Sequence, residues 1–496
     1  MRRNDDLLVG VALVAVALVC VVFRYLPMVD LPQHYAMVSI MRHHGDPAWG
    51  FAQRYTFDFL GRPYATVYFL ATALSWVMPL GAAMRITVAL CVVAPFAGLW
   101  ALMHALDRPR AWVLAVIPFA FGALFHWGFL NFLLGTGVFV AGLALVVRAA
   151  SGEGRWEPWA LLALGPFALL THFHSLVMLL VTAPLFAFGW ARDRDLRRAA
   201  RRVVLPLVPG GLLAVLFVAL TWRQAEGAWA VMNPGFSERV SRFVEFLAGG
   251  LPEDAALGFV LALAALAIAA LLLGEHGDRR QGAVLLAALL LQVVGYFALP
   301  LNTNTATFVS ARHALLIVLF VVPLLPDPEG ARGLALRALA GVAALAGLLV
   351  IGRQLACFDR EARDVDAVLD KTAPARRMLP LIFARGSACC DPRAFPYLHF
   401  AAYYQAARGG ELSRSFAVVW NVPIRYRADY HRWPIRELVE WAPQRVSPDD
   451  VAHFDYVLLR GGGMGLPQLA RLHEVARSGA WTLLENPEAL PAELPR

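Results

Sequence analysis

Charged residues are scarce in this chain. They make up 16% of its 496 residues, whereas hydrophobic residues make up 59% and the mean hydropathy is +0.57. Soluble domains carry about 25% charged residues on average, so this composition excludes an ordinary soluble enzyme and indicates a polytopic membrane protein. Much of the net charge of +8 falls in short loops between apolar segments. The positive-inside rule expects that placement, so the charge does not indicate a nucleic-acid partner.

Lysine and cysteine are also rare. Lys371 is the one lysine among 44 basic residues, a bias that indicates a GC-rich bacterial genome rather than a particular chemistry. The five cysteines form no CxxC pair and no cluster spaced with histidines, which argues against a structural zinc site. Cys357 has two candidate disulfide partners, Cys389 and Cys390, and the residues alone leave open whether either bond forms.

Long apolar runs fill the first 352 residues. Eleven of them approach the roughly 20 residues that a membrane-spanning helix needs: 7–26, 86–105, 111–126, 130–148, 158–171, 175–190, 203–222, 256–273, 283–300, 309–325 and 333–352. We interpret a twelfth run, 65–80, as an interfacial or re-entrant helix, because counting it as a span would place several loop arginines on the outer side. The sequence therefore predicts an all-α polytopic membrane domain over 1–352 with about eleven transmembrane helices.

Charge and flanking residues also predict where this domain lies. The loop 191–202 carries six arginines against two aspartates, which assigns it to the cytoplasmic side. The first apolar run lacks a small-residue cleavage site, so we expect a retained signal anchor with the N-terminus in the cytoplasm. The prediction is a bacterial inner-membrane protein whose residues 353–496 lie on the periplasmic side.

With this topology, the polar interruptions of the apolar runs share the outer side. They are 126–131, 171–174, 223–255 and 302–305. Polar groups at membrane depth are costly and usually serve a partner or a pathway. Each one alone is well explained as an interfacial anchor, but together they predict a single outward-facing cavity. His172 and His174 are candidate binding residues within it.

The segment 27–35 opens the first outer loop, which runs over 27–85. Asp30 and His34 are four residues apart, so on a helix they would lie one turn from each other on one face. The same residues also fit a helix start, with Asp30 as the N-cap, Pro32 in the first turn and Gln33 at the capping-box position. The sequence leaves open whether Asp30 has a chemical role or a capping role.

Residues 301–313 bring polar groups to the start of another apolar run. Asn302 precedes Arg312 and His313, which lie in the opening turns of that run. An arginine there can extend along the helix toward the membrane surface. It can equally bind an anionic group, because a guanidinium grips phosphate through two parallel hydrogen bonds. Both interpretations stay open at this point.

From residue 353 onward the composition changes to mixed charge with many prolines and glycines. Short apolar segments at 378–384 and 456–459 alternate with helix-like segments at 360–371, 397–408 and 466–478. This alternation predicts a small α/β domain over 353–496.

The order of these elements resembles the GT-C superfamily of integral membrane glycosyltransferases. The resemblance covers the whole chain in layout, but only the motif Asp30-Leu31-Pro32-Gln33-His34 is specific in its residues. It implies a polyprenyl-phosphate sugar as donor, a lipid, glycan or protein acceptor on the outer face, and inversion at the transferred carbon. It also implies that Asp30 is the catalytic base or orients the acceptor. His34 would then orient Asp30 or donate to the phosphate. Arg312 and His313 are candidates for holding the donor phosphate, with His172, His174 and Asn302 as weaker candidates.

One feature departs from the resemblance. Many GT-C proteins have two nearby acidic residues in this loop, whereas here the next acids after Asp30 are Asp46 and Asp58. One carboxylate beside an imidazole is a poor Mg²⁺ site, so we predict a mechanism without a metal or other cofactor. Two other functions stay open: a transporter or flippase for a lipid-linked saccharide, and a non-catalytic membrane scaffold. The residues do not identify the sugar or the acceptor.

Overall fold

The computed structural model describes residues 2–59, 62, 64–152, 154–221, 231–274, 278–303, 306–419, 421–434 and 438–490. Most of these residues are helical. The helices are α1 (Arg2–Val22), α2 (Leu31–His43), α3 (Thr66–Ser75), α4 (Leu80–Ala105), α5 (Ala123–Trp127), α6 (Leu130–Ser151), α7 (Glu157–Thr171), α8 (Phe173–Trp190), α9 (Leu196–Ala199), α10 (Leu205–Thr221), α11 (Phe236–Ser241), α12 (Phe243–Ala248), α13 (Glu253–Leu273), α14 (Arg279–Ala298), α15 (Arg312–Val321), α16 (Gly330–Ala362), α17 (Asp364–Leu369), α18 (Ala402–Arg408), α19 (Leu438–Trp441) and α20 (Pro448–His453). The strands are β1 (Tyr55–Phe57), β2 (Arg377–Ile382), β3 (Glu411–Leu412), β4 (Ile424–Tyr426), β5 (Tyr456–Arg460), β6 (His473–Ser478) and β7 (Trp481–Glu485).

Within the described residues, eight helices are long and apolar enough to cross a membrane. They are Asn4–Val22, Leu80–Ala105, Leu130–Ser151, Phe173–Trp190, Leu196–Leu220, Glu253–Leu273, Arg279–Ala298 and Gly330–Leu369. The predicted runs 111–126, 158–171 and 309–325 coincide with the shorter apolar helices Arg110–Phe121, Glu157–Thr171 and Arg312–Leu324, and the interfacial candidate 65–80 coincides with α3. The chain is a multi-pass membrane protein, and the count of eleven spans stays a prediction.

Contacts divide the chain into two compact units. Unit 1 comprises 1–22, 88–125 and 129–352, and unit 2 comprises 23–87, 126–128 and 353–496. The predicted membrane domain over 1–352 and the periplasmic domain over 353–496 stay predictions, because compactness does not report on which side of a membrane a segment lies.

Unit 1 is built from closely packed helices. The approach of α6 to α4 depends on Gly137, since a Cβ added there would lie 2.5 Å from the Cβ of Ala94. Such a contact forces the backbones apart, so the small residue sets the distance between the helices. The 3-10 helix Arg110–Phe121 is buried along its whole length.

Unit 2 contains a five-stranded sheet in the order β3-β2-β5-β7-β6. Strands β2 and β5 are parallel neighbours, with Leu379 opposite Val457. They confirm the predicted apolar strands. The predicted helix at 466–478 is wrong, because His473–Ser478 is strand β6, which pairs antiparallel with β7. Pairing with a neighbouring strand overrides a weak local preference for helix.

Candidate functional site

Asp30 lies at the N-cap position of α2, but its side chain makes no capping hydrogen bond. Gln33 does not complete a capping box either. Its Nε2 donates to the carbonyl of Arg414 at 3.2 Å, and its Oε1 accepts from the backbone N–H of Phe416 at 3.1 Å. The capping interpretation of these side chains is therefore wrong, since both are directed toward other parts of unit 2.

The Asp30 carboxylate begins a chain of charged groups within unit 2. Its Oδ1 lies 3.3 Å from Nδ1 of His399, and Nε2 of His399 lies 2.9 Å from Oε1 of Glu440. Nε of Arg414 lies 2.9 Å from the other oxygen of Glu440. The contact between His399 and Asp30 is an ion pair rather than a hydrogen bond, because Nδ1 lacks an acceptor in hydrogen-bond geometry. His399 thus lies between the carboxylates of Asp30 and Glu440. Its hydrogen-bonded partner is Glu440, which Arg414 holds in place.

These contacts determine the charge of His399. Its side chain is 9% exposed, and burial disfavours the imidazolium form, but Glu440 and Asp30 outweigh burial and raise the pKa of His399 to about 9. Burial acts against the charge of Glu440 as well, yet His399 and Arg414 hold the pKa of Glu440 below its usual value. At neutral pH these side chains therefore alternate in charge, with a protonated His399 beside Asp30.

His34 is in the opposite protonation state. Its Nε2 lies 3.1 Å from the carbonyl oxygen of Gly128, which only accepts, so Nε2 carries the proton. Its Nδ1 lies 2.9 Å from Oη of Tyr68 and therefore accepts from that hydroxyl. Burial lowers the pKa of His34, although the charge of Asp30 acts in the other direction. His34 is a neutral imidazole whose two ring nitrogens are both engaged away from the Asp30 carboxylate.

The backbone around Asp30 is fixed by the segment 126–128. The N–H of Val29 donates to the carbonyl of His126 at 2.8 Å, and the N–H of Asp30 donates to that of Trp127 at 3.2 Å. Gly128 has a φ of +86°, and a Cβ there would lie 3.0 Å from the Cβ of Asp30. A glycine is required at 128 for this close approach.

A cavity of about 140 Å³ adjoins the charged chain. Its lining includes His399, Glu440, Arg414 and Gln33, together with apolar side chains such as Ile382. The carboxylate of Asp30 is 19% exposed. Among the described residues, no donor contacts its Oδ2. One carboxylate oxygen is thus held by the imidazolium, while the other has no donor among the described residues.

A second polar cluster lies in unit 1, where three predicted histidines come together. The rings of His174 and His313 are 5.0 Å apart, and those of His172 and His174 are 6.3 Å apart. Nδ1 of His313 donates to Oε1 of Gln292 at 3.0 Å. The His313 ring can pack against α14 because residue 295 is a glycine. A Cβ at that position would lie 2.4 Å from the ring. We call the side chains of His172, His174, His313, Gln292 and Arg312 the histidine cluster.

Arg312 is the cation of the histidine cluster. It is 8% exposed, its Nη2 donates to the carbonyl of Thr307 at 3.1 Å, and its guanidinium lies 5.4 Å from the ring centres of Phe129 and Phe132. A buried guanidinium over two aromatic rings does not extend toward a surface. The structure therefore argues against the surface-directed interpretation, and anion binding by Arg312 stays a prediction.

Asn302 has a local structural contact. Its Oδ1 accepts from the backbone N–H of Phe308 at 3.1 Å, and its side chain is half-buried. Its role in binding stays a prediction. Asn304, Thr305 and residues 223–230 of the loop 223–255 lie outside the described residues.

Sequence reasoning missed His399, Glu440 and Arg414. His399 stands between Leu398 and Phe400 in an aromatic-rich segment, a pattern equally typical of a buried core residue. No spacing rule joins it to Asp30, because the two are far apart in the chain.

A disulfide joins Cys357 to Cys389. This settles the alternative that the sequence left open, and Cys390 remains a free thiol. Cys389 lies in the segment that leads to His399, so the bond tethers that segment to the end of α16.

No protein-family model and no curated protein sequence matches the chain. Two crystal structures of ArnT from Cupriavidus metallidurans are similar to it. ArnT in the apo state has a TM-score of 0.56 and 14% identity, covering 99% of this chain and 98% of ArnT. ArnT bound to undecaprenyl phosphate has a TM-score of 0.52 and 14% identity, covering 99% of both chains. ArnT is a GT-C glycosyltransferase, so this chain has a GT-C-like fold, which confirms the prediction.

Proposed function

We propose that this GT-C-like membrane protein is a glycosyltransferase that moves a sugar from a polyprenyl-phosphate donor to an acceptor of the cell envelope, with Asp30 as the base. The observation that carries the proposal is the state of the Asp30 carboxylate. It does not cap α2, one oxygen faces the imidazolium of His399, and the other has no donor among the described residues. The likeness to ArnT bound to undecaprenyl phosphate supports a polyprenyl-phosphate donor.

In the proposed reaction, the acceptor hydroxyl lies within hydrogen-bond reach of Oδ2 of Asp30. As the acceptor oxygen attacks the anomeric carbon, its proton passes to the carboxylate and the bond from that carbon to the donor phosphate breaks. Attack opposite the leaving phosphate inverts the configuration. His399 does not take the proton. It is a positioning residue, because its charge fixes the carboxylate through Oδ1 while Glu440 holds its far side.

The departing phosphate requires fixed positive charge or hydrogen-bond donors. Arg312 and His313 stay our candidates for this role, with His172, His174 and Asn302 as secondary candidates. His34 stays a candidate for assisting Asp30. We propose that no metal takes part, because the carboxylate of Asp30 is paired with an imidazolium, and a hard cation prefers several oxygen ligands.

The test is transfer of labelled sugar from a panel of polyprenyl-phosphate sugars by the purified protein in detergent. Asp30→Asn keeps the size of the side chain and removes the base, so we expect transfer to fall by about 100-fold or more. Asp449→Asn removes an exposed carboxylate outside the site and serves as the matched control. Both variants and the wild type are measured with and without a chelator of divalent cations.

Wild-type transfer that survives the chelator, with loss only in Asp30→Asn, supports the proposal. Equal transfer by Asp30→Asn and the wild type would remove Asp30 from the mechanism. Loss of wild-type transfer with chelator would refute the metal-free mechanism. If the wild-type protein has an intact thermal transition but uses no donor of the panel, the result favours the transporter and scaffold alternatives.

A further inference from the structure

Unit 2 holds a second, larger cavity of about 580 Å³. Its lining combines aromatic rings with four guanidinium groups, Arg24, Arg42, Arg85 and Arg408, against two carboxylates, Asp366 and Asp370. Its lining is therefore positively charged, and Asp30 is not part of it. This cavity is therefore separate from the proposed transfer site at Asp30.

The carboxylates neutralise only two of the four arginines. Nη2 of Arg24 lies 2.8 Å from Oδ1 of Asp366, and Nη2 of Arg408 lies 3.5 Å from Oδ1 of Asp370. In the part of the chain that the structure describes, neither Arg42 nor Arg85 has a carboxylate partner. Two guanidinium groups thus face this cavity with their charge uncompensated.

Two donors of the lining are also unsatisfied. Tyr403 is 8% exposed, and its hydroxyl has no hydrogen-bond partner among the described residues. The same holds for the buried Nε of Arg85. Buried polar groups are normally hydrogen-bonded, so donors without partners beside a cavity indicate a ligand that accepts hydrogen bonds.

The cavity is lined by residues at the ends of two helices that are long and apolar enough to cross a membrane, which argues for a position near the lipid headgroups. Arg24 follows directly on the membrane helix α1, and Arg85 lies in the opening turns of the membrane helix α4. The guanidinium of Arg42 lies 6.0 Å from the ring of Trp76, which is 67% exposed. Exposed tryptophan is typical of the membrane–water interface. A ligand of this cavity would therefore meet the headgroup region of the bilayer.

We propose that this cavity binds a phosphate group, supplied by the headgroup of an anionic membrane lipid. Arg42 and Arg85 bind the phosphate oxygens, since guanidinium geometry matches phosphate, and the hydroxyl of Tyr403 donates a further hydrogen bond. Asp30 and Arg42 lie at opposite ends of α2, roughly 18 Å apart along a helix that rises 1.5 Å per residue. The lipid bound here is therefore not the one that reacts at Asp30.

The test measures binding to the delipidated full-length protein in detergent by native mass spectrometry. The probes are dioleoyl phosphatidylglycerol, dioleoylglycerol, which has the same tails without phosphate, and inorganic phosphate as a competitor. The double variant Arg42→Gln/Arg85→Gln removes both uncompensated charges. Tyr403→Phe removes one hydroxyl and keeps the ring, and Arg471→Gln removes an exposed guanidinium that lines neither cavity.

We expect phosphatidylglycerol to bind the wild type and Arg471→Gln alike, at least tenfold more weakly to the double variant, and severalfold more weakly to Tyr403→Phe. Asp30→Asn should bind it as the wild type does, which separates this site from the proposed transfer site. Equal binding by the double variant and the wild type would overturn the proposal, and so would equal binding of dioleoylglycerol. Arginine-dependent binding of inorganic phosphate without binding of the lipid would refute the lipid as the source. If the double variant shows no thermal transition and so does not fold, the binding of phosphatidylglycerol by Tyr403→Phe, whose own thermal transition shows that it folds, decides the test.

Discussion

Removing the charge of Glu440 should shift the titration of His399 toward neutral pH. In the native protein, burial opposes the imidazolium, yet Glu440 and Asp30 raise its pKa to about 9. Glu440→Gln keeps one oxygen, which can accept from Arg414, and removes the charge together with the acceptor that faces Nε2 of His399. Burial and Asp30 then act alone on the imidazole. We expect the pKa of His399 to fall by about 1 to 2 units, since this is the effect of losing one close opposite charge.

The rise from the ordinary value near 6.5 to about 9 corresponds to roughly 3 kcal/mol of stabilisation of the folded state. Because the folded pKa lies above the unfolded one, this stabilisation is fully present below about pH 6.5. It is lost as the pH rises through about 9. The wild-type protein should thus become less stable across that window. Without the charge of Glu440, the loss should be complete at a lower pH and be smaller in total.

The assay is thermal unfolding in detergent between pH 6 and pH 10. The apparent melting temperature of the wild type should fall across the window, while His399→Gln should show no such fall. Glu440→Gln should show it about 1 to 2 pH units lower. His473→Gln removes an exposed imidazole on β6 and should follow the wild type. Equal pH dependence in the wild type and His399→Gln would refute the reasoning, because His399 would then not hold the charge.

Two further changes test the supports of the two sites. Removing the disulfide with Cys357→Ser/Cys389→Ser should destabilise the protein by about 3 to 4 kcal/mol, because the unfolded chain gains loop entropy. Cys390→Ser should not destabilise it. Thermal unfolding without reductant compares the two variants. Equal losses would mean that the disulfide adds nothing. Gly295→Ala should cost about 1 to 3 kcal/mol because its methyl group displaces a ring of the histidine cluster. Gly258→Ala, which meets no atom within 4 Å, should not destabilise the fold, and equal unfolding of both variants would contradict the packing argument.

Sequence alone indicated Asp30 because an acid directly outside a membrane helix is conspicuous in so apolar a chain. It did not indicate that the side chain is free of capping, although the local pattern matches a capping box. The reason is tertiary: Gln33 bonds to the segment 414–416, and Asp30 faces His399. Local rules describe what a helix end needs, but partners from a distant segment decide what each side chain contacts.

Hydropathy had a similar limit in counting spans. The 3-10 helix Arg110–Phe121 is apolar because all of it is buried against protein, whereas α13 buries few of its residues. Both read as apolar runs, because burial in protein and exposure to lipid select the same side chains. A sequence therefore reports that a segment avoids water, and only the fold reports which apolar surroundings it meets.

Two histidines close to Asp30 differ in charge, one being positive and the other neutral, and this difference limits the chemistry of the site. His399 is an imidazolium because a carboxylate lies on each side of it. His34 is neutral because it is buried between a carbonyl and a hydroxyl. For His34 to exchange a proton at Asp30, it would first have to break its bond to Tyr68 or Gly128. The permanent positive charge beside the base is therefore that of His399. A variant of His399 should alter the pH profile of transfer, whereas Tyr68→Phe should mainly lower stability.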